Sequence, residues 1–116
     1  MTRAGRALIY NQLVINQAAL DGVFAALSDP TRRRMVERLA KGRCSVGEVA
    51  RGFAISQPAI SKHVRVLENC GLVRRSVSGR VHHLELAPEP MRAASSWIER
   101  QRKYWEGALD RLESLL

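Results

Sequence analysis

Long apolar runs are missing from this sequence. No stretch approaches the ~18 consecutive apolar residues of a bilayer-spanning helix, so no membrane association is expected. A secretory leader is not expected either. Arg3 and Arg6 precede "ALIY", but Asn11, Gln12, Asn16 and Gln17 interrupt the apolar segment that should follow. Together these absences predict a cytoplasmic protein. Cysteine is scarce too: Cys44 and Cys70 are the only two, and they form no CxxC or CxC cluster. That excludes the disulfide framework of a small secreted domain. There is no Gly-rich phosphate loop, no metal triad, and no Ser or Cys nucleophile paired with any of the three His. An enzyme is therefore the weakest reading of the chain. Internal repeats and low-complexity linkers are absent as well.

Acidic residues are short in one region only. Between Pro30 and Leu86 there are 12 Lys/Arg against 4 Asp/Glu, which accounts for the whole net charge of +8. The rest of the chain carries 7 of each sign. A localised basic segment implies a polyanionic partner, nucleic acid or an anionic membrane surface. The length, 116 residues, suits one domain with a modest core.

What is present reads as a series of capped helices. Residues 1–17 form an N-terminal arm, flexible or packed in a dimer, ahead of a domain over 18–116. From about Ala18, Leu20, Val23, Phe24 and Leu27 recur at helical spacing. Asp29 and Pro30 then start a second helix with Met35, Val36 and Leu39 inward, closed by Gly42. Ser45 with Glu48 is a capping box for a short third helix, whose Val46, Val49, Ala50 and Phe53 face the core. Ser56 caps a fourth, where Ile60, Val64 and Leu67 repeat at i, i+4, i+7 up to Gly71. "LVRRSV" and "RVHHLELA" read as two short strands around a Ser78-Gly79 turn. Pro88 and Pro90 punctuate the exit, and a long helix runs from Met91 to Leu116. Helices three and four, joined tightly by "ARGFAIS" with Gly52 near the turn, fit a helix-turn-helix. With the basic hairpin after it, the expected fold is mainly α with a small β-hairpin: a winged helix-turn-helix with a helical dimer interface.

Two blocks, "FAALSDPTRRRMVERLAKG" and "SVGEVARGFAISQPAISKHVRVLENCGLVRRSVSGRVHHLEL", together with the tail "WIERQRKYWEGALDRLESLL", resemble the ArsR-type winged helix-turn-helix repressors. The likeness covers roughly Leu20 to Leu116, and the tail is similar to a subgroup with a Trp-containing last helix. The resemblance implies a transcriptional regulator that binds operator DNA as a homodimer. Many relatives sense metals, but their usual ligands are not matched here. Cys44 has no second Cys near "SVGEVA", and the last helix has no His from Trp97 onward. No metal and no cofactor is therefore expected. His82 and His83 would point to opposite faces of a strand, which is poor geometry for joint chelation.

In such a fold the second helix of the motif enters the major groove with its N-terminal residues nearest the bases. Ser56, Gln57, Pro58, Ser61, Lys62 and Arg65 are the candidates there. Gln57, Ser61 and Arg65 share a face, and Gln, Lys and Ser are side chains able to read base edges. Pro58 fixes the first turn, where exposed N–H groups can receive a phosphate. His63 sits to the side, at a position that in the family resembles a phosphate or base-edge contact. Arg74, Arg75 and Arg80 are expected to grip phosphate or the adjacent minor groove from the wing. Arg32, Arg33 and Arg34 stay open: one could meet DNA backbone, while Arg34 could equally brace Glu37 or Glu48. Leu20, Phe24, Trp97, Trp105, Leu109 and Leu112 exceed what so short a chain can bury and are assigned to a dimer interface. A small-molecule or redox effector is compatible with the Trp residues and with Cys44 or Cys70, but none is identified. The rival function is a winged helix that binds protein or RNA. The deep, narrow groove of duplex RNA and the retained basic wing argue against it.

Overall fold

The computed structural model describes residues 17–116; apart from Gln17, the N-terminal arm lies outside them. Helix α1 occupies residues 17–27. It is followed by α2 (Pro30–Ala40), strand β1 (Cys44–Ser45), α3 (Val46–Ala50), α4 (Gln57–Asn69), β2 (Val73–Ser78), β3 (Val81–Leu86) and α5 (Pro88–Ser114). The strands form an antiparallel sheet in the order β1-β3-β2.

The caps explain the boundaries. The Asp29 side chain accepts from the Arg32 backbone N–H at 3.0 Å, with Pro30 in the first turn of α2. Ser45 and Glu48 form both bonds of the capping box that starts α3. Ser56 Oγ accepts from the Ala59 N–H at 3.3 Å. Gly71 follows Cys70, the C-cap of α4, with φ +81°, a conformation that side chains with a Cβ rarely adopt. One apolar core joins Val23 and Ala26 of α1, Met35 and Leu39 of α2, Val49 of α3, the α4 stripe, Leu72 just ahead of β2, and Val73 and Leu84 of the sheet.

Three features differ from the sequence expectation. Gly79 and Arg80 form the hairpin turn rather than Ser78 and Gly79, because Ser78 still pairs with Val81. Gly79, at φ +62°, supplies the positive first position of a glycine-first two-residue loop. Pro88 and Pro90 lie inside the first turn of α5, where the missing N–H groups have no intrahelical acceptor to lose. Finally, Cys44 and Ser45 add a third, two-residue strand opposite Leu84 and His83. That strand ties the start of the helix-turn-helix to the hairpin, while Ala87 donates to the Leu72 carbonyl at 2.8 Å across the hairpin base.

Candidate nucleic-acid interface

The six residues between α3 and α4 include Gly52 at φ +83°, which makes the sharp turn of the helix-turn-helix. Helix α4 buries Ile60, Val64 and Leu67 and thereby fixes which side faces out. Ser56, Gln57, Pro58, Ser61, Lys62 and Arg65 are all exposed on that outer side. Neither Lys62 nor Arg65 takes part in any ion pair among the described residues. Their charges, beside the exposed hydroxyl of Ser61 and amide of Gln57, are available to an outside partner.

His63 stands apart from this group. It lies on the flank of α4 with its side chain only 19% exposed, and its Nδ1 approaches Arg32 Nη1 of α2 at 3.1 Å. Asp29 is 3.8 Å away. The Arg32 backbone N–H, with help from the His63 and Arg32 side chains, holds the Asp29 carboxyl below its ordinary pKa. Arg33 bonds the Leu27 carbonyl at 2.7 Å, and so helps to close the end of α1. Arg34 has neither Glu37 nor Glu48 among the ion pairs of the described residues. The related bracing role falls to Arg38, which bonds the Val49 carbonyl at 2.8 Å and lies 4.4 Å from the centre of the Phe53 ring.

The wing arginines divide by strand register. Arg74 and Arg75 are neighbours, so they project to opposite faces of the sheet. Arg74 shares its face with Glu85 and reaches Glu89 of α5 at 2.9 Å, a pair in which both side chains are more than half exposed. The Glu89 carboxyl is held low by its own backbone N–H and by Arg74. Arg75 points the other way. It makes a bidentate bond to Glu68 in the last turn of α4, at 3.2 and 2.6 Å, and also lies 3.1 Å from His82 Nδ1. The bond to Glu68 raises the Arg75 pKa, and its fork geometry fixes the wing against α4. Arg75 is therefore built as a brace, and Arg80 at the tip is the wing arginine without an ion-pair partner among the described residues. Glu68 was missed from the sequence and Arg32 was left open there, since both act across elements rather than along one.

Helix α5 shows the reverse surface. Of its residues only Ala94 is buried. Trp97 is 40% exposed, Trp105 60%, Leu109 54% and Leu112 58%. Phe24 of α1 meets Trp97 edge-on at 5.5 Å between ring centres, and Leu20 packs partly on the core. The apolar stripe thus continues from α1 onto α5 without a cover from its own chain's described residues. Cys44 and Cys70 are both free, each bonded through sulfur to a nearby backbone carbonyl. Among the described residues no group of three or more His, Cys, Asp and Glu is placed to hold a metal ion. No helix there is long and apolar enough to cross a membrane.

This arrangement is matched by known proteins. Residues 29–75, the second helix through the first residues of the wing, fit the family model described as "Bacterial regulatory protein, arsR family". The HTH-type transcriptional regulator Rv2034 of Mycobacterium tuberculosis is 39% identical over 77% of this chain and 80% of its own. The chain belongs to the ArsR family. The transcriptional repressor SdpR of Bacillus subtilis is 30% identical over 68% of this chain and 88% of its own. A crystal structure of another ArsR family transcriptional regulator, RHA00566, superposes with a TM-score of 0.71 at 39% identity, covering 76% of this chain and 97% of that one. Within the ArsR family this chain is a winged helix-turn-helix, DNA-binding transcriptional regulator.

Proposed function

We propose that the protein is a homodimeric repressor that binds an inverted-repeat operator and excludes polymerase from the promoter. The observation that carries this reading is the outer face of α4. Gln57, Ser61, Lys62 and Arg65 lie exposed on a helix whose other side is pinned in the core. Gln57, Ser61 and Lys62 are assigned to base edges, with Arg65 one turn further along the groove. Ser56, Pro58 and His63 are assigned to the backbone beside them. Arg80 is the main wing contact with phosphate. Arg74 is exposed enough to exchange Glu89 for a phosphate, and Arg75 supports the wing through Glu68.

The dimer reading rests on the bare stripe of Trp97, Trp105, Leu109 and Leu112, continued by Leu20 and Phe24. Apolar area of this kind is stabilised by burial against a second copy. A two-fold pair of α4 helices would read half-sites about one turn, ~10 bp, apart or at multiples of that spacing. The exposed Trp side chains and the two free thiols leave room for a small-molecule or redox effector, and the family setting fits a cytoplasmic protein. The test is footprinting on DNA upstream of the protein's own gene. Protection of one inverted repeat near the promoter is expected. Uniform protection along the fragment would reduce the reading to charge attraction alone.

A further inference from the structure

Arg32 is not used by the groove-facing set, yet it is the most heavily engaged side chain next to it. Its Nε donates to the Ala26 carbonyl at 2.7 Å and its Nη2 to the Ala25 carbonyl at 3.2 Å, both on α1. Its Nη1 lies 3.1 Å from His63 Nδ1 on α4. A guanidinium can only donate, so this bond makes Nδ1 the acceptor and puts the ring proton of neutral His63 on Nε2. Asp29, at 3.8 Å from the same nitrogen, is beyond hydrogen-bond reach and does not compete for the proton in this geometry. Among the described residues nothing bonds Nε2, and no buried side-chain nitrogen is left without a partner. That nitrogen therefore meets solvent.

We propose that Arg32 is a positioning residue for DNA binding: anchored on the end of α1, it holds His63 as the Nε2–H tautomer and so offers that N–H to a backbone phosphate beside α4. The inference rests on the reading of α4 as the groove-facing helix. Phosphate is the favoured acceptor because His63 lies on the flank of α4 and not among the exposed base-reading residues. Arg32 itself is turned inward and half-buried, with its donors committed to α1 and His63. It acts through the ring and not as a phosphate ligand.

The test uses the full chain and two readouts. Ring nitrogen NMR shifts of His63 in the free protein, taken at pH 8, above the ~6.5 of an ordinary His, report the tautomer. Anisotropy titrations over a salt series, with duplex from upstream of the protein's own gene, report affinity and salt slope. The Nε2–H form is expected in the wild type, and a mixture in R32K. R32K keeps the charge but lacks the fork. R32K is also expected to bind about tenfold more weakly, the loss of about one hydrogen bond to a charged group, at unchanged salt slope. H63Q, whose amide stands in for the Nε2 position, should stay within about twofold of wild type, while H63N should lose about tenfold.

A wild-type ring in the Nδ1–H form would overturn the inference, as would an R32K protein with wild-type tautomer and affinity. A salt slope lowered by about 0.9 in R32Q, which removes the charge, would make Arg32 a direct phosphate ligand instead. If R32K does not fold, equal affinities of H63Q and H63N would defeat the idea on their own. Wild-type protein that binds its own upstream duplex no better than a scrambled one would remove the groove-facing reading itself. The tautomer result in the free protein stands or falls separately from that.

Discussion

Helices α4 and α5 are both amphipathic, and they leave opposite surfaces uncovered. In α4 the apolar side is fully used: Ile60, Val64 and Leu67 are buried, and what remains outside is Gln57, Ser61, Lys62 and Arg65. In α5 the charges cancel, five Lys/Arg against five Asp/Glu between Pro88 and Ser114, and Arg102 bonds both Glu99 and Glu106, one turn away on either side. Those two carboxylates raise the Arg102 pKa, and Arg102 in turn holds Glu99 low. What α5 leaves outside is Trp105, Leu109 and Leu112. A helix whose charges sum to zero has little pull on a polyanion, and a helix with a buried apolar side needs no second copy. In the function proposed above, each exposed remainder is therefore assigned a different partner, DNA for α4 and another protomer for α5.

The sharpest way to break this contrast is to strip the outer face of α4. Replacing Gln57, Ser61 and Lys62 together by Ala should abolish sequence preference, a loss of about a thousandfold in the specific-to-nonspecific ratio. Competition titrations against random duplex would read it, and a retained preference would move base reading elsewhere in the molecule. Next in size is the α5 stripe. Trp105→Ala should weaken the dimer by about 2 kcal/mol, or roughly thirtyfold, as expected for a central aromatic at an interface. Sedimentation equilibrium unchanged by the substitution would show that this surface is not where two copies meet.

The wing gives a smaller and more diagnostic pair. Arg80→Ala should flatten the dependence of log affinity on log salt by about 0.9, the share of a single phosphate. Arg75→Ala should weaken binding with no change in that slope, because it releases the wing from Glu68 rather than a phosphate. Identical slopes for the two variants would erase the distinction between grip and brace. The smallest effect concerns the cap of α2. Asp29→Ala should cost about 1 kcal/mol at neutral pH, read by thermal melting, while Asp29→Asn should cost less because Asn also caps well. The folded-state pKa of Asp29 is lowered, so its contribution is present above the ordinary carboxylate pKa, ~3.9, and is lost as pH falls through the lower folded value. Asp29→Asn should remove that part of the acid-side loss. An unaltered acid limb would detach Asp29 from it.

Much of the architecture was legible because its signals are local. Asp29, Ser45 with Glu48, and Ser56 each cap the helix that follows them within three residues, and Gly71 stops α4 by a conformation open mainly to glycine. The exposed set on α4 follows from 3.6-residue periodicity in the same way. The features that escaped depend on distance or register. Strand β1 is two residues long and exists only because β3 passes beside it. Arg74 and Arg75 look equivalent in sequence, and only the pairing with Glu85 and Leu84 sends one toward Glu89 and the other toward Glu68. His63 lies on α4 between two exposed groups, Lys62 and Arg65, and its partner Arg32 is 31 residues earlier. No pattern within α4 alone could have found that bond.

The central claim is that the outer face of α4 reads DNA sequence. The most direct measurement is fluorescence anisotropy of the purified protein with duplex from upstream of its own gene, at physiological salt, against a scrambled duplex of equal length. The account predicts a preference of about a thousandfold or more for the upstream sequence. Equal, weak binding to both duplexes would contradict it and leave only the attraction of a basic surface for a polyanion.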